Sequence, residues 1–300
     1  MTREASASAS PPQRARVIAT FGRHSLIDHS GTLVQATRRG KRGDVIVGDW
    51  VHATIAGDQA SIESIEPRTT LLFRADSYRV KELAANIDQV VIVFAAHPPF
   101  NRWFIWKALV AAEAAGIEPL VLRNKTDLPD SEEAQIFVQQ IAQLGWRTAS
   151  LSAKVQSEQA REQLMSELAR RRSLLVGQSG MGKSTLLNLI VPDARARTQE
   201  YSQRLNVGKQ TTTASRWFSF AEESALVDTP GFQEFGLSHL SLSEIAATFP
   251  EFKDLLGRCR FLDCRHIEEP GCAIQAALAQ GAVAPERYKF YRSLADLNSK

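Results

Sequence analysis

Gly177-Gln178-Ser179-Gly180-Met181-Gly182-Lys183-Ser184-Thr185 is the stretch on which the fold turns. It has the form G-x-x-x-x-G-K-[S/T], follows an apolar strand at 173–176 and opens a helix at 183–190. In that context the glycines let successive backbone N–H groups turn onto phosphate oxygens, and the helix N-terminus adds its partial positive charge. Lys183 is placed to neutralise β- and γ-phosphates, and the Ser184 hydroxyl to ligate Mg²⁺. Around this loop, strands at 89–96, 118–123, 147–152 and 173–176 alternate with helices at 102–115, 131–144, 157–171 and 183–190. Such alternation predicts a parallel sheet covered on both faces.

A phosphate loop does not choose its base. Asn124-Lys125-Thr126-Asp127, at the end of the strand 118–123, does. The Asp127 carboxylate can accept from guanine N1–H and the exocyclic N2 amine, neither of which adenine offers. Asn124 is expected to face the other ring edge, with the Lys125 stem along the base plane. Ser152-Ala153-Lys154 follows one βα unit later and supplies backbone contacts to the guanine oxygen. Asp228-Thr229-Pro230-Gly231, after a strand at 224–227, has the D-x-x-G form. Its carboxylate would reach Mg²⁺ through water, and the Gly231 amide would contact the γ-phosphate. The polar stretch 192–215 reads as a long functional loop, and its Gly208-Lys209-Gln210-Thr211-Thr212-Thr213 holds the threonine, Thr212, expected to close over Mg²⁺. The ligands implied are GTP and GDP with Mg²⁺.

The order of these elements is unusual. GTPases ordinarily present the phosphate loop first, then the switch threonine, D-x-x-G, N-K-x-D and S-A-K. Here the base-reading elements at 124 and 152 precede the phosphate loop at 177, the threonine at 212 and D-T-P-G at 228. The domain is circularly permuted: the helix at 157–171 joins the old termini, which such domains hold close together at the surface. As a consequence, the switch at 228–231 runs directly into whatever lies C-terminal to it.

The flanks differ in texture. Residues 16–21, 33–38, 44–55 and 59–65 are short alternating strands broken by S-G, R-G and G-D turns, which predicts a small OB-like all-β barrel. Residues 1–13 are rich in Ser, Ala and Pro and read as a disordered tail rather than a secretory signal. Beyond about 236 the chain breaks into short helical segments around Cys259, Cys264, His266 and Cys272. Three thiols and an imidazole within fourteen residues make a closed four-ligand set, the structural type of zinc site. The expected organisation is a tail (1–13), a barrel (14–74), a permuted α/β GTPase domain (75–235) and a mainly helical zinc-binding domain (236–300). The composition, 44% hydrophobic and 23% charged, is that of a globular chain. The longest apolar run, 90–96, is far short of the roughly 20 residues a spanning helix needs. The clustering of all three cysteines points to metal ligation in a reducing compartment, hence the cytoplasm. The net charge of +3 does not by itself indicate nucleic acid, but Arg38-Arg39-Gly40-Lys41-Arg42 concentrates four charges that suit RNA phosphates. The Arg170–Arg172 run reads as a helix C-terminus matched to its dipole.

The permuted order, the G-Q-S-G-M-G-K-S-T loop, G-K-Q-T-T-T, D-T-P-G-F-Q-E-F-G-L, V-G-D-W-V at 47–51 and the Cys/His pattern together resemble the ribosome-small-subunit-dependent GTPase A (RsgA, YjeQ) family over nearly the whole chain. The resemblance implies an OB fold, a permuted GTPase and a zinc domain. It also implies action in late maturation of the 30S subunit, with 16S rRNA as a partner and hydrolysis stimulated by the subunit. Nothing in the sequence demands a dimer, and a monomer is expected. One departure stands out: Phe232 follows D-x-x-G where a water-orienting glutamine is common, and Gln210 occupies the place where the family often carries histidine. Gln210 can hydrogen-bond water but is no general base near neutral pH, so low intrinsic turnover is expected. The motifs alone leave open a regulatory GTPase acting on a protein partner.

Overall fold

A computed structural model describes residues 11–38, 44–75, 80–129, 132–205, 215–230, 232 and 234–297. Thr212, Gln210 and Gly231, and the basic run beyond Arg38, lie outside the described residues.

Five strands form the N-terminal barrel: β1 (Gln13–Phe21), β2 (His24–His29), β3 (Thr32–Arg38), β4 (Trp50–Ala56) and β5 (Gln59–Ile65). They close in the order β1-β2-β3-β5-β4-β1, with β3–β5 the parallel pair. Alternation places Ala15, Val17, Ile27, Val34, Val51 and Ile62 in a core of their own. A bulge in β1 between Val17 and Ala19 breaks that alternation, so Ile18 and Ala19 turn to the main core. Two sequence expectations change here. His24–His29 is a strand, its mixed His/Ser/Asp composition having hidden it. Residues 44–49 are no part of β4: Gly48 has φ +92° and a Cβ there would lie 2.0 Å from the Ala85 carbonyl oxygen. The buried Asp49 accepts a fork from Arg68 and the Ile46 N–H, fixing the turn.

A hairpin unforeseen in the sequence follows, β6 (Leu71–Ala75) with β7 (Val80–Ala85). The α/β region then runs β8 (Gln89–Phe94), α1 (Arg102–Ala114), β9 (Glu118–Arg123), α2 (Glu132–Gln143), β10 (Arg147–Ser150), α3 (Ser157–Leu168), β11 (Arg172–Gly177), α4 (Lys183–Ile190), α5 (Ala194–Arg204), β12 (Arg216–Ala221) and β13 (Ser224–Asp228). The sheet order is β10-β9-β8-β11-β13-β12, parallel except for β12. Its central strands β8 and β11 are buried on both faces, as their unbroken apolar runs require. The edge strand β12 meets β1 at Ala19 and Arg216, so barrel and α/β sheet are one eleven-stranded sheet.

The expected loop at 192–215 is helical in its first half. α5 carries apolar contacts at Ala194, Tyr201 and Leu205, and Tyr201 stacks on Phe218 at 6.0 Å. Apart from the exposed Ala196, charged and polar residues fill the remaining positions, so the sequence shows little periodicity. Arg170–Arg172 is not a helix terminus either. α3 ends at Leu168, and the three arginines pair with Glu223, Glu118 and Asp88 at the amino edge of the sheet.

The C-terminal part is α6 (Leu242–Ala247), a short 3₁₀ turn, α7 (Ala273–Ala279) and α8 (Pro285–Leu297). It packs on α1 through Phe290 against Trp103 and Trp106. The Arg287–Glu251 pair is buried there, with the guanidinium over Trp106, Trp146 and Phe249. Among the described residues no helix is long and apolar enough to cross a membrane.

Candidate nucleotide site and metal centre

Parallel strands put every βα connection at one edge of a sheet, and that edge gathers the motifs. Asn124 follows β9, Ser152 follows β10, the phosphate loop joins β11 to α4, and Asp228 closes β13. Residues up to 104 positions apart in sequence thus share one rim, from Asn124 to Asp228.

The phosphate loop is shaped by close approach. A Cβ on Gly177 would lie 2.4 Å from the Val93 oxygen, and one on Gly182 2.3 Å from Asn124 Nδ2. Gly182 is also left-handed, φ +94°, and is the N-cap of α4 without a side-chain cap. The first N–H groups of α4 therefore keep no capping partner and face the loop, the arrangement that binds phosphate. Lys183 Nζ lies over the loop, donating to the Gly177 and Gln178 carbonyls at 2.5 and 2.9 Å. Ser184 and Thr185 are exposed at the helix start. Gln178 accepts from the Asn101 N–H at 2.7 Å, tying the loop to the α1 N-cap.

The base-reading elements are braced to that loop. Asn124, 3% exposed, donates from Nδ2 to the Met181 carbonyl at 3.0 Å and accepts at Oδ1 from the Ala153 N–H at 3.3 Å. Sequence reasoning gave this side chain to the ring edge; here it ties the phosphate loop to S-A-K. Lys125, left-handed at φ +60°, sends its ammonium to the Gly180 and His97 carbonyls at 2.6 and 3.0 Å. The Ser152 hydroxyl donates to Asp127, and the Thr126 N–H bonds the Leu151 carbonyl at 3.3 Å, which fixes the carboxylate's direction. Lys154 is exposed beside them.

The charged groups at the rim oppose their own burial. Burial lowers Lys183 below the usual ammonium range, partly offset by Asp228. Burial raises Asp228 above the usual carboxylate range, against the pull of Lys183 and then Arg216. A divalent cation with a polyphosphate would satisfy both groups. Sequence reading missed Arg216. It stands opposite Asp228 in the β12–β13 register, so both side chains share a sheet face. Only strand pairing reveals it. Asn101, an N-cap before an apolar helix, carried a legible signal.

Beyond Asp228 the chain lies along the hairpin. Phe235 bridges Arg74, the Ala75 N–H donates to the Glu234 carbonyl at 3.1 Å and the Gly236 N–H to Phe73 at 3.0 Å. Phe232 packs on Phe235 and on Phe104 of α1, which leaves it a packing residue rather than a water-orienting one.

The second site is Cys259, Cys264, His266 and Cys272, with ligand atoms within 4.8 Å of one another. Cys259 Sγ and Cys272 Sγ are 4.0 Å apart, and each lies 3.5 Å from His266 Nδ1. Tetrahedral zinc with Zn–S near 2.3 Å and Zn–N near 2.0–2.1 Å requires edges of about 3.8 and about 3.6 Å. The donor set fits. Burial pushes the Cys264 thiol up to about 12, as do neighbouring Cys259 and Cys272, and burial lowers His266, keeping its imidazole neutral for a metal. Supporting groups absent from the sequence reading hold the loop. Glu269 accepts from the Arg265, Ile267 and Glu268 N–H groups, while Tyr288 and Tyr291 donate to the His266 and Arg265 carbonyls at 2.8 and 2.9 Å.

Parallel strands carrying a phosphate loop, N-K-x-D, S-A-K and D-x-x-G in this sequence order define a circularly permuted P-loop GTPase. The model of the RsgA GTPase family matches residues 65–238. The small ribosomal subunit biogenesis GTPase RsgA of Paraburkholderia phytofirmans is 45% identical over 287 residues, covering 93% of this chain and 91% of that one. The crystal structure of YjeQ from Thermotoga maritima superposes with a TM-score of 0.72 at 27% identity, covering 95% of this chain and 98% of the other. The circularly permuted GTPase YloQ shares the fold, with a TM-score of 0.70 at 23% identity over 99% and 98% of the chains. The chain belongs to the RsgA GTPase family.

Proposed function

We propose that this protein hydrolyses GTP to GDP and phosphate in maturation of the small ribosomal subunit, with 16S rRNA as its RNA partner, acting as a cytoplasmic monomer. The relative from Paraburkholderia phytofirmans is named a small ribosomal subunit biogenesis GTPase, which supports the small subunit as the place of action. The observation that carries the reading is the Asn124 brace: the base-reading and phosphate-reading elements are one hydrogen-bonded unit at the carboxyl edge of the sheet. The proposed division is a tail at 1–13, an RNA-binding barrel at 14–74, a GTPase domain at 75–235 and a zinc domain at 236–300.

In this reading Asp127 selects guanine, with Asn124, Lys125, Thr126, Ser152, Ala153 and Lys154 forming the base pocket. The loop from Gly177 to Thr185 holds the phosphates, and Lys183 leaves its carbonyl contacts to neutralise them. Ser184, Thr212 and Asp228 hold Mg²⁺, which stabilises charge developing on the phosphoryl oxygens. Gly231 addresses the γ-phosphate and Gln210 hydrogen-bonds the attacking water. With no general base of suitable pKa among these groups, turnover depends on the bound subunit. Loss of the γ-phosphate frees Gly231, and the segment 234–236, hydrogen-bonded to the β6–β7 hairpin, carries that change to the hairpin and the C-terminal part. The GTP state favours binding and hydrolysis favours release. Cys259, Cys264, His266 and Cys272 hold one structural zinc.

The test is GTP hydrolysis with and without purified 30S subunits, with Lys183→Ala and ATP as controls. Strong stimulation, lost in the variant and absent with ATP, is expected. Unchanged slow turnover in the presence of 30S would turn the search to a protein partner.

A further inference from the structure

Within the α/β sheet β12 alone runs against its neighbours, so its first residue, Arg216, stands at the nucleotide rim. Register sets it directly opposite Asp228, the last residue of β13. Side chains opposed in this way leave the sheet on one face, with Cβ atoms roughly 4.5–5.5 Å apart. Phe218, two positions along the strand, shares that face and stacks on Tyr201. Arg216 therefore lies on the face that α5 covers.

Its guanidinium has no partner of its own. Three other arginines drawn out of solvent are forked onto carboxylates: Arg68 onto Asp49, Arg172 onto Asp88 and Arg287 onto Glu251. Among the described residues the half-buried Arg216 guanidinium makes neither an ion pair within 4.0 Å nor a hydrogen bond, and Asp228 is the opposite charge that acts on it. That carboxylate is already engaged. Lys183 acts on it more strongly than Arg216 does, and the Thr229 N–H donates to it. Lys183 and Arg216 act on Asp228 and not on each other, so the carboxylate lies between two cations. A half-buried charge without a hydrogen-bonded partner costs solvation and gains little in return. Folding stability thus gives no reason for an arginine at this position.

Competition with a metal does. On the nucleotide reading above, Lys183 moves to the phosphates and Asp228 serves Mg²⁺. Arg216 stays beside Asp228, because strand pairing fixes both backbones. A positive charge left there offsets part of the carboxylate's attraction for a divalent cation. We propose that Arg216 is a positioning residue that acts through Asp228: as a fixed counter-ion it weakens the hold of that carboxylate on Mg²⁺ and so speeds the departure of GDP. Charge alone does this, and neither side chain changes its protonation. The consequence is a site that empties without an exchange protein. The inference rests on the proposed nucleotide reading and adds to it a residue outside all of its motifs.

The test uses the full chain with fluorescent GDP, whose release is followed as Mg²⁺ is titrated from excess EDTA to saturation. Arg216→Gln keeps most of the stem and removes the charge. It should lower the Mg²⁺ concentration that half-maximally slows release by about tenfold, and slow release at a fixed subsaturating Mg²⁺ concentration by a similar factor. Release in EDTA should be no slower than in the wild type. Arg216→Lys restores a charge and should return the Mg²⁺ dependence toward the wild-type curve. In an Asp228→Asn background Arg216→Gln should have no further effect, since the group it acts through is gone. The melting midpoint of Arg216→Gln without nucleotide should equal or exceed that of the wild type, because an unpaired half-buried charge has been removed.

A tighter metal is a result that simple damage to the fold does not produce. An unchanged Mg²⁺ midpoint in Arg216→Gln overturns the proposal. Faster GDP release both with and without Mg²⁺ overturns it too, in favour of a direct phosphate contact. A lowered melting midpoint with a weakened Mg²⁺ response overturns it in favour of a purely structural arginine. If the wild type does not bind GDP, the nucleotide reading and the proposal fall together. If GDP binds and Mg²⁺ slows its release equally in wild type and variant, the proposal falls alone.

Discussion

Replacing Asn124 with alanine separates two roles that the motif alone leaves fused. If the side chain only reads the base, its loss weakens nucleotide binding and leaves the empty protein intact. The structure instead has it bridging Met181 and Ala153 at 3% exposure, so Asn124→Ala strands a buried carbonyl and a buried N–H. Two lost hydrogen bonds with unsatisfied partners cost roughly 2–3 kcal/mol. For a chain of 300 residues that is a fall of roughly 3–5 °C in the melting midpoint without nucleotide. Guanine nucleotide affinity should fall as well, by about tenfold if half of that energy appears in binding. Differential scanning fluorimetry without nucleotide and titration with fluorescent GDP give the two numbers. A nucleotide-free midpoint within about 1 °C of wild type would refute the brace, however far the affinity fell.

Three further outcomes follow from the same geometry. Asp127→Asn replaces an acceptor held by Ser152 with a group that can donate, so preference should move from GTP to xanthosine triphosphate by at least about a hundredfold, read from competition binding. Backbone N–H groups at 265, 267, 268 and 269 outweigh burial and hold Glu269 at about 2, so its contribution is complete above the ordinary carboxylate range and lost as pH falls from there toward 2. Glu269→Ala should speed zinc release to a chromogenic chelator about tenfold at neutral pH. Glu251→Ala leaves the Arg287 guanidinium buried and unpaired, which should cost about 3–5 kcal/mol in denaturant unfolding, while replacing both partners with apolar residues recovers most of it.

Much of the site was legible because its chemistry is local in sequence. The phosphate loop needs glycines at fixed offsets within nine residues, and Cys259 to Cys272 fits one metal within fourteen. The permuted order was legible too, being order alone. What stayed hidden depends on partners far along the chain. The α5 helix has only three apolar anchors, each meaningful once β12 is in place to receive it. The β6–β7 hairpin is met by the chain at Phe235 in a single bridge to Arg74, about 160 positions away. Arg170–Arg172 looked like a helix end because the sequence names the charges and not the carboxylates of β8, β9 and the β12–β13 turn that meet them.

The sequence by itself determined the chemistry: a guanine-reading, phosphate-binding rim on a permuted α/β sheet, and a four-ligand metal loop. Residue type and short spacing decide those, because each motif is made by neighbours on one strand–loop–helix. Only the tertiary structure decided how the pieces are coupled. Strand pairing set Arg216 against Asp228 and Ala19, laid the chain after Asp228 along the hairpin, and gave Asn124 a brace between Met181 and Ala153 that the motif does not announce. Those relations depend on register between strands distant in sequence, which is set by the closing of the whole sheet and its core.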